Sequence, residues 1–152
     1  MSNALRVMIA GFVATLVLGA LLMLKSSFGV WPELNIIRLL MGLGSITAPA
    51  AWMDHFIVGT VVWGLLFSLF DSVGAGLGHW LKGIIFGVFA WFMMMVLFMP
   101  AAGGGLFGNK IGIVAPIVML VVHLIYGAVL GVTYGLLTAW LPAKDPEASP
   151  QA

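Results

Sequence analysis

Apolar side chains in this chain gather into four long runs with sparse polar punctuation. Leu5–Leu24 has Arg6 at its edge, Ala51–Phe70 contains Asp54 and His55, Trp80–Met99 contains Lys82, and Ile111–Leu141 contains His123. A helix needs about 20 consecutive apolar residues to cross the hydrocarbon of a bilayer. Each run therefore predicts one transmembrane helix, over about 5–24, 51–70, 80–99 and 115–141. The expected fold is all-α and polytopic, with residues 1–142 as one four-helix transmembrane domain. The first run exceeds the roughly 7–15 apolar residues of a signal peptide, and Lys25-Ser26-Ser27 lacks the small-residue cleavage pattern. A retained helix is the expectation.

The segments between the runs differ in character. Residues 32–42 place apolar side chains at helical spacing, with Glu33 and Arg38 as polar edges. This predicts a short helix in the membrane interface, anchored by Trp31. Pro49 and Pro116 suit the first turn of a helix, where a missing N–H costs nothing. Asp71–His79 reads as a turn, Ala101–Lys110 as a glycine-rich loop, and residues 143–152 as a disordered polar tail.

The two halves look like copies of one hairpin. Gly11, Ala14 and Met23 share their spacing with Gly87, Ala90 and Met99. Ala48-Pro49 and Ala115-Pro116 then lead into His55-Phe-Ile-Val-Gly59-Thr-Val and His123-Leu-Ile-Tyr-Gly127-Ala-Val. Two helices per unit return the chain to its starting side, so the repeats are expected to run parallel.

Composition agrees with a lipid environment. Of 152 residues, 62% are hydrophobic and 7% charged, against about 25% charged in a soluble domain. A net charge of +1 supplies no basic field for nucleic acid. With no cysteine, disulfides and thiolate chemistry are excluded. Basic residues divide evenly, Arg6, Lys82 and Lys144 on the side of the termini and Lys25, Arg38 and Lys110 on the other. Positive-inside counting is balanced; the short amino-terminal segment favours cytoplasmic termini.

Lipid gives helices no hydrophobic reason to associate, so small residues and polar contacts carry the packing. Gly59, Gly83, Gly87, Gly127, Gly131 and Gly135 are the candidate packing positions. His55 and His123 each precede a glycine by four residues, which puts them on the packing side. Intramembrane ionisable groups point to function. Paired imidazoles would suit haem, copper or zinc, and Met23 and Met99 would add thioethers for Cu(I). The plainer reading is two neutral histidines hydrogen-bonded across helices. Asp54 orients an imidazole or sits at the helix mouth near the positive end of its dipole. His79 is expected in a solvated loop. No H-E-x-x-H, P-loop, G-x-S-x-G or dinucleotide fingerprint occurs, so the chain is expected not to be an enzyme.

The stretches LKSSFGVWPELN, WMDHFIVGTVVWGLL, HWLKGIIFGVFAWFMMMV and HLIYGAVLG resemble a group of small bacterial inner-membrane proteins of unknown function. The resemblance implies a four-helix protein of the bacterial inner membrane and carries no site residues. Three function classes are compatible with these features. The first is a non-enzymatic accessory or scaffold subunit that packs with other membrane subunits or with copies of itself. The second is a haem- or metal-binding protein using His55 and His123. The third, small-solute transport, has only Asp54, Thr60, Ser68 and Thr133 for a polar path.

Overall fold

Side-chain caps decide where most of the helices begin. The Ser2 hydroxyl accepts from the Leu5 amide at 3.3 Å, filling one of the open donors of a helix start, and α1 runs Asn3–Ser27. Asn35 accepts from the Ile37 and Arg38 amides at 3.0 and 3.1 Å, opening the short α2, Ile36–Gly42. Thr47 accepts from Ala50 at 3.3 Å and, with Pro49 in the first turn, opens α3, Ala48–Val73. The computed structural model describes residues 1–29, 34–44, 47–73 and 76–141, and continues with α4, His79–Ala101, and α5, Ala115–Trp140.

Helices α1, α3, α4 and α5 are long and apolar enough to cross a membrane, as the four apolar runs predict. Three of them start one to three residues earlier than hydropathy alone suggests, because the first turn tolerates small and polar residues. The interfacial helix expected over 32–42 begins instead at Ile36, since the Asn35 side chain engages the amides just after it. Trp31, Pro32, Glu33 and the tail 143–152 lie outside the described residues.

Two spans contain a π-helical turn, at Val58–Val62 in α3 and Met94–Phe98 in α4. Each holds one more residue than an α turn, and such bulges concentrate at functional sites.

The spans pack antiparallel to their neighbours. Helix α1 lies between α3 and α5, and α4 packs along the other side of α5. Aromatic rings join α3 to α4: Phe86 stands within 5.9, 5.4 and 5.8 Å of the Trp63, Phe67 and Phe70 ring centres. One core cluster forms around Val7, Ala14, Phe67, Phe86 and Leu130, and a second around Leu34, Met95, Met99, Ala115 and Met119. The glycine-rich connection between α4 and α5 turns through Gly105 and Gly108, both at positive φ, and lays Phe107 against Trp91.

Glycine is required where backbones touch. A Cβ at Gly83 would strike the Gly127 carbonyl, one at Gly127 the Gly83 carbonyl, and one at Gly87 the His123 carbonyl. A Cβ at Gly131 would strike the His79 carbonyl. Between α1 and α3, Gly11 faces the Thr60 carbonyl, Gly59 faces the Thr15 hydroxyl and Gly64 faces the Val7 carbonyl. Gly135 is looser, meeting only the His79 side chain at 3.3 Å.

Candidate functional site

All four spans and α2 contribute to one partly open cavity of about 100 Å³. Thr15 and Leu18 of α1, His55 and Trp63 of α3, Met94 of α4, and Met119, His123 and Tyr126 of α5 form its wall. Ile36, Leu39 and Leu40 of α2 close it on the side of the hairpin connections. Thus α2 turns its apolar residues onto the bundle, as well as matching the amphipathic pattern of its sequence.

His55 is brought here by the first two turns of α3, directly ahead of the π segment. It is 8% exposed, its ring stands edge-on to Trp52 at 5.7 Å, and its Nε2 is buried without a hydrogen-bond partner. Such an orphan is uncommon, since leaving a buried polar group unsatisfied costs about 1–3 kcal/mol.

His123 enters the same wall from α5. Its Nδ1 lies 2.7 Å from the Met119 carbonyl oxygen. A carbonyl accepts only, so Nδ1 carries the proton and donates. Among the described residues, the wall contains no carboxylate to favour an imidazolium. The ring is therefore the neutral Nδ1–H tautomer, with a lone pair on Nε2.

The π turn of α3 adds a third polar feature. The Trp63 amide bonds to the Val58 carbonyl, five residues back, so the Gly59 carbonyl loses its usual i+4 donor. The Tyr126 hydroxyl fills the position, donating to Gly59 O at 2.6 Å. Thr15 donates back to Gly11 O at 2.7 Å. Thr60, one residue past Gly59, has a buried hydroxyl without a partner.

The structure brings the two sequence-predicted histidines to one cavity and leaves both predicted thioethers out of its wall. Met23 is 62% exposed on α1, whereas Met99 is fully buried in the second core cluster, under Gly104 and against Met119 and Ala115. Sharing a level in the sequence repeat does not make them face the same way. The methionines that do line the cavity are Met94 and Met119. Met119 carries a readable signal, one turn ahead of His123 on the same face of α5; Met94 carries none, since it stands in an unbroken methionine run. Among the described residues, no three His, Cys, Asp or Glu side chains cluster for a metal.

The opposite end of the bundle holds a polar cluster that corrects the expectation for His79. Instead of sitting in a solvated loop, His79 is the first residue of α4, its Nδ1 2.8 Å from Asp71 Oδ1 and its ring edge-on to Tyr134. Buried Lys82 donates to the Asp71 carbonyl at 2.7 Å and lies 3.2 Å from its carboxylate. Tyr134 donates to Asn3 at 2.6 Å, and Asn3 donates to Ser68 at 3.0 Å. Arg6, also buried, donates to the Leu141 carbonyl. These bonds tie the start of α1 to the ends of α3 and α5 and the start of α4, and pair the charge of Lys82 inside an apolar bundle, while the buried Arg6 Nε has no partner.

The chain belongs to a family of unknown function (DUF6789), whose model matches residues 1–143. No curated protein and no solved structure matches it.

Proposed function

We propose that this family member is a non-enzymatic, multi-pass protein of the bacterial inner membrane whose bundle holds a small ligand between His55 and His123. One observation carries the reading: His55, whose buried Nε2 has no hydrogen-bond partner, lines a cavity to which every span contributes. A concave, mostly apolar site with a few converging polar groups is the usual form of a binding site.

Size restricts the occupant. Drug-sized ligands occupy pockets of about 300–1,000 Å³, and this cavity is about 100 Å³. A space of this size suits an ion, a few water molecules or a small apolar molecule, since an engineered cavity of about 150 Å³ takes up benzene or xenon.

The accessory-subunit reading draws on glycine stripes that could dock foreign helices. Five of the six packing glycines, all but Gly135, meet backbone or a buried side chain of this same chain at close range. Their chemistry is spent on holding the cavity walls together, which favours the ligand reading over docking of other subunits or of a second copy.

The internal repeat belongs to the same proposal. Gly11 approaches Gly59 and Thr60 much as Gly87 approaches His123 and Gly127, and Gly64 covers Val7 as Gly131 covers Gly83. Gly59 and Gly64 are five apart where Gly127 and Gly131 are four apart, and the π turn between the first pair absorbs the extra residue. Duplication of one hairpin, followed by a one-residue insertion, explains how two similar histidines came to flank one cavity.

Native mass spectrometry of the 16.1 kDa chain, released from mild detergent, tests the reading. The expected spectrum shows a bound small species that is lost in Val122→Phe, which enlarges a side chain of the cavity wall. Bare chain in both proteins overturns the ligand-binding function.

A further inference from the structure

The geometry points to a binding site for a soft monovalent cation, Cu(I), formed by His55 and His123 with the thioethers of Met94 and Met119. This rests on the ligand-binding function proposed for the cavity and names its occupant.

The first support is the state of the two rings. A ligating histidine ordinarily directs its second nitrogen to a carbonyl, which fixes the tautomer and leaves the other lone pair for the metal. His123 has this arrangement, with Nδ1 on the Met119 carbonyl at 2.7 Å. His55, more than nine-tenths buried, keeps an unpartnered Nε2 and belongs to the same wall.

The second support is the chemistry of the remaining donors. Neutral imidazole and thioether are soft to borderline ligands, and the described wall holds no carboxylate. Cu(I) accepts such a set; Mg²⁺ and Ca²⁺ require oxygen donors, and structural Zn²⁺ takes thiolate, imidazole or carboxylate. Charge agrees: four neutral ligands leave the ion's charge uncompensated, and a single charge costs less than a double one to bury in a low-dielectric interior. A water molecule donating to both Nε2 atoms would satisfy the same rings without using either thioether, and corresponds to a metal-free result.

The third support is placement. His123 and Met119 are one helical turn apart on α5, so the carbonyl that orients the imidazole belongs to the residue whose thioether joins it. Met94 opens the π turn of α4, where the changed pitch alters the direction of side chains relative to a regular helix.

The experiment uses the full chain in mild detergent under anaerobic conditions, with ascorbate-reduced copper as probe and a chromophoric Cu(I) chelator as competitor. Wild type is expected to retain one equivalent. His55→Gln and His123→Gln should each weaken retention at least tenfold, with thermal unfolding recorded to show that both variants remain folded. In X-ray absorption, wild-type copper should show sulfur as well as nitrogen neighbours. The sulfur signal should vanish in the Met94→Leu, Met119→Leu double variant, which preserves side-chain bulk. No copper above an empty-micelle blank, or retention equal to wild type in either histidine variant, overturns the site. Zinc bound with the same histidine dependence and no copper overturns the Cu(I) assignment. A bound species in native mass spectra that contains no metal also overturns it, while leaving the binding cavity standing.

Discussion

The Tyr126 hydroxyl donates to the Gly59 carbonyl at 2.6 Å and so supplies the hydrogen bond that the π turn of α3 withholds. Removing it in Tyr126→Phe leaves a buried carbonyl without that donor. The penalty for an unsatisfied buried group is about 1–3 kcal/mol, while interhelical bonds in membranes average about 0.6. The lower end should apply, because the helix can relax toward a regular α turn. A loss of about 1 kcal/mol in reversible unfolding by sodium dodecyl sulfate is expected. No change would mean that the π turn finds another donor.

Contact distance separates the glycines into two classes. Gly127→Ala drives a methyl group into the Gly83 backbone, which has no rotamer to yield, so α4 and α5 must separate. Overpacking of this kind costs about 1–3 kcal/mol or more. Gly135→Ala meets only the His79 side chain, its Cβ at 3.3 Å and its ring from 3.4 Å, so a shift of a few tenths of an ångström relieves it. Melting in detergent should show a large loss for Gly127→Ala and little for Gly135→Ala. Equal effects would count against the tight α4–α5 contact.

Gly59→Ala collides with the Thr15 side chain rather than with backbone. Thr15→Ala removes the two nearest atoms and leaves the Thr15 Cβ at 3.1 Å. The double variant should recover much of the stability that Gly59→Ala loses, a coupling that a double-mutant cycle measures. Purely additive losses would show that the two residues do not meet.

At the other end of the bundle, Asp71→Ala strands the buried Lys82 ammonium. Breaking one partner of a buried pair costs about 3–5 kcal/mol. The Asp71 carbonyl still receives Lys82, so the lower end, about 3 kcal/mol, is expected. Adding Lys82→Met should restore part of the loss, because it removes the stranded charge. Unfolding midpoints of the single and double variants decide this.

The two methionines paired by spacing should behave unlike one another. Met99→Ala empties a fully buried position and should cost about 2–5 kcal/mol. Met23→Ala, on an exposed face, should stay within about 0.5 kcal/mol. Comparable losses would place Met23 in an interface.

The sequence by itself determined the number of spans and their approximate limits, because bilayer thickness requires long apolar runs and this chain has four. It determined that His55 and His123 face the interior, since small residues one turn away mark the packing side of a helix. It also marked the glycines that hold backbones together. Relations set by rotation and axial shift between helices were decided only by the tertiary structure. The one extra residue of the π turn in α3 rotates every later side chain of that helix, and nothing in Val58–Val62 distinguishes it from a regular helix. Met23 and Met99 share a repeat position yet part company, because α1 and α4 present different faces to the bundle. His79 and Asp71, eight residues apart, become a bonded pair only when the turn between α3 and α4 brings them together. Hydropathy decides that a helix enters the membrane; only packing against the other helices decides which of its side chains meet.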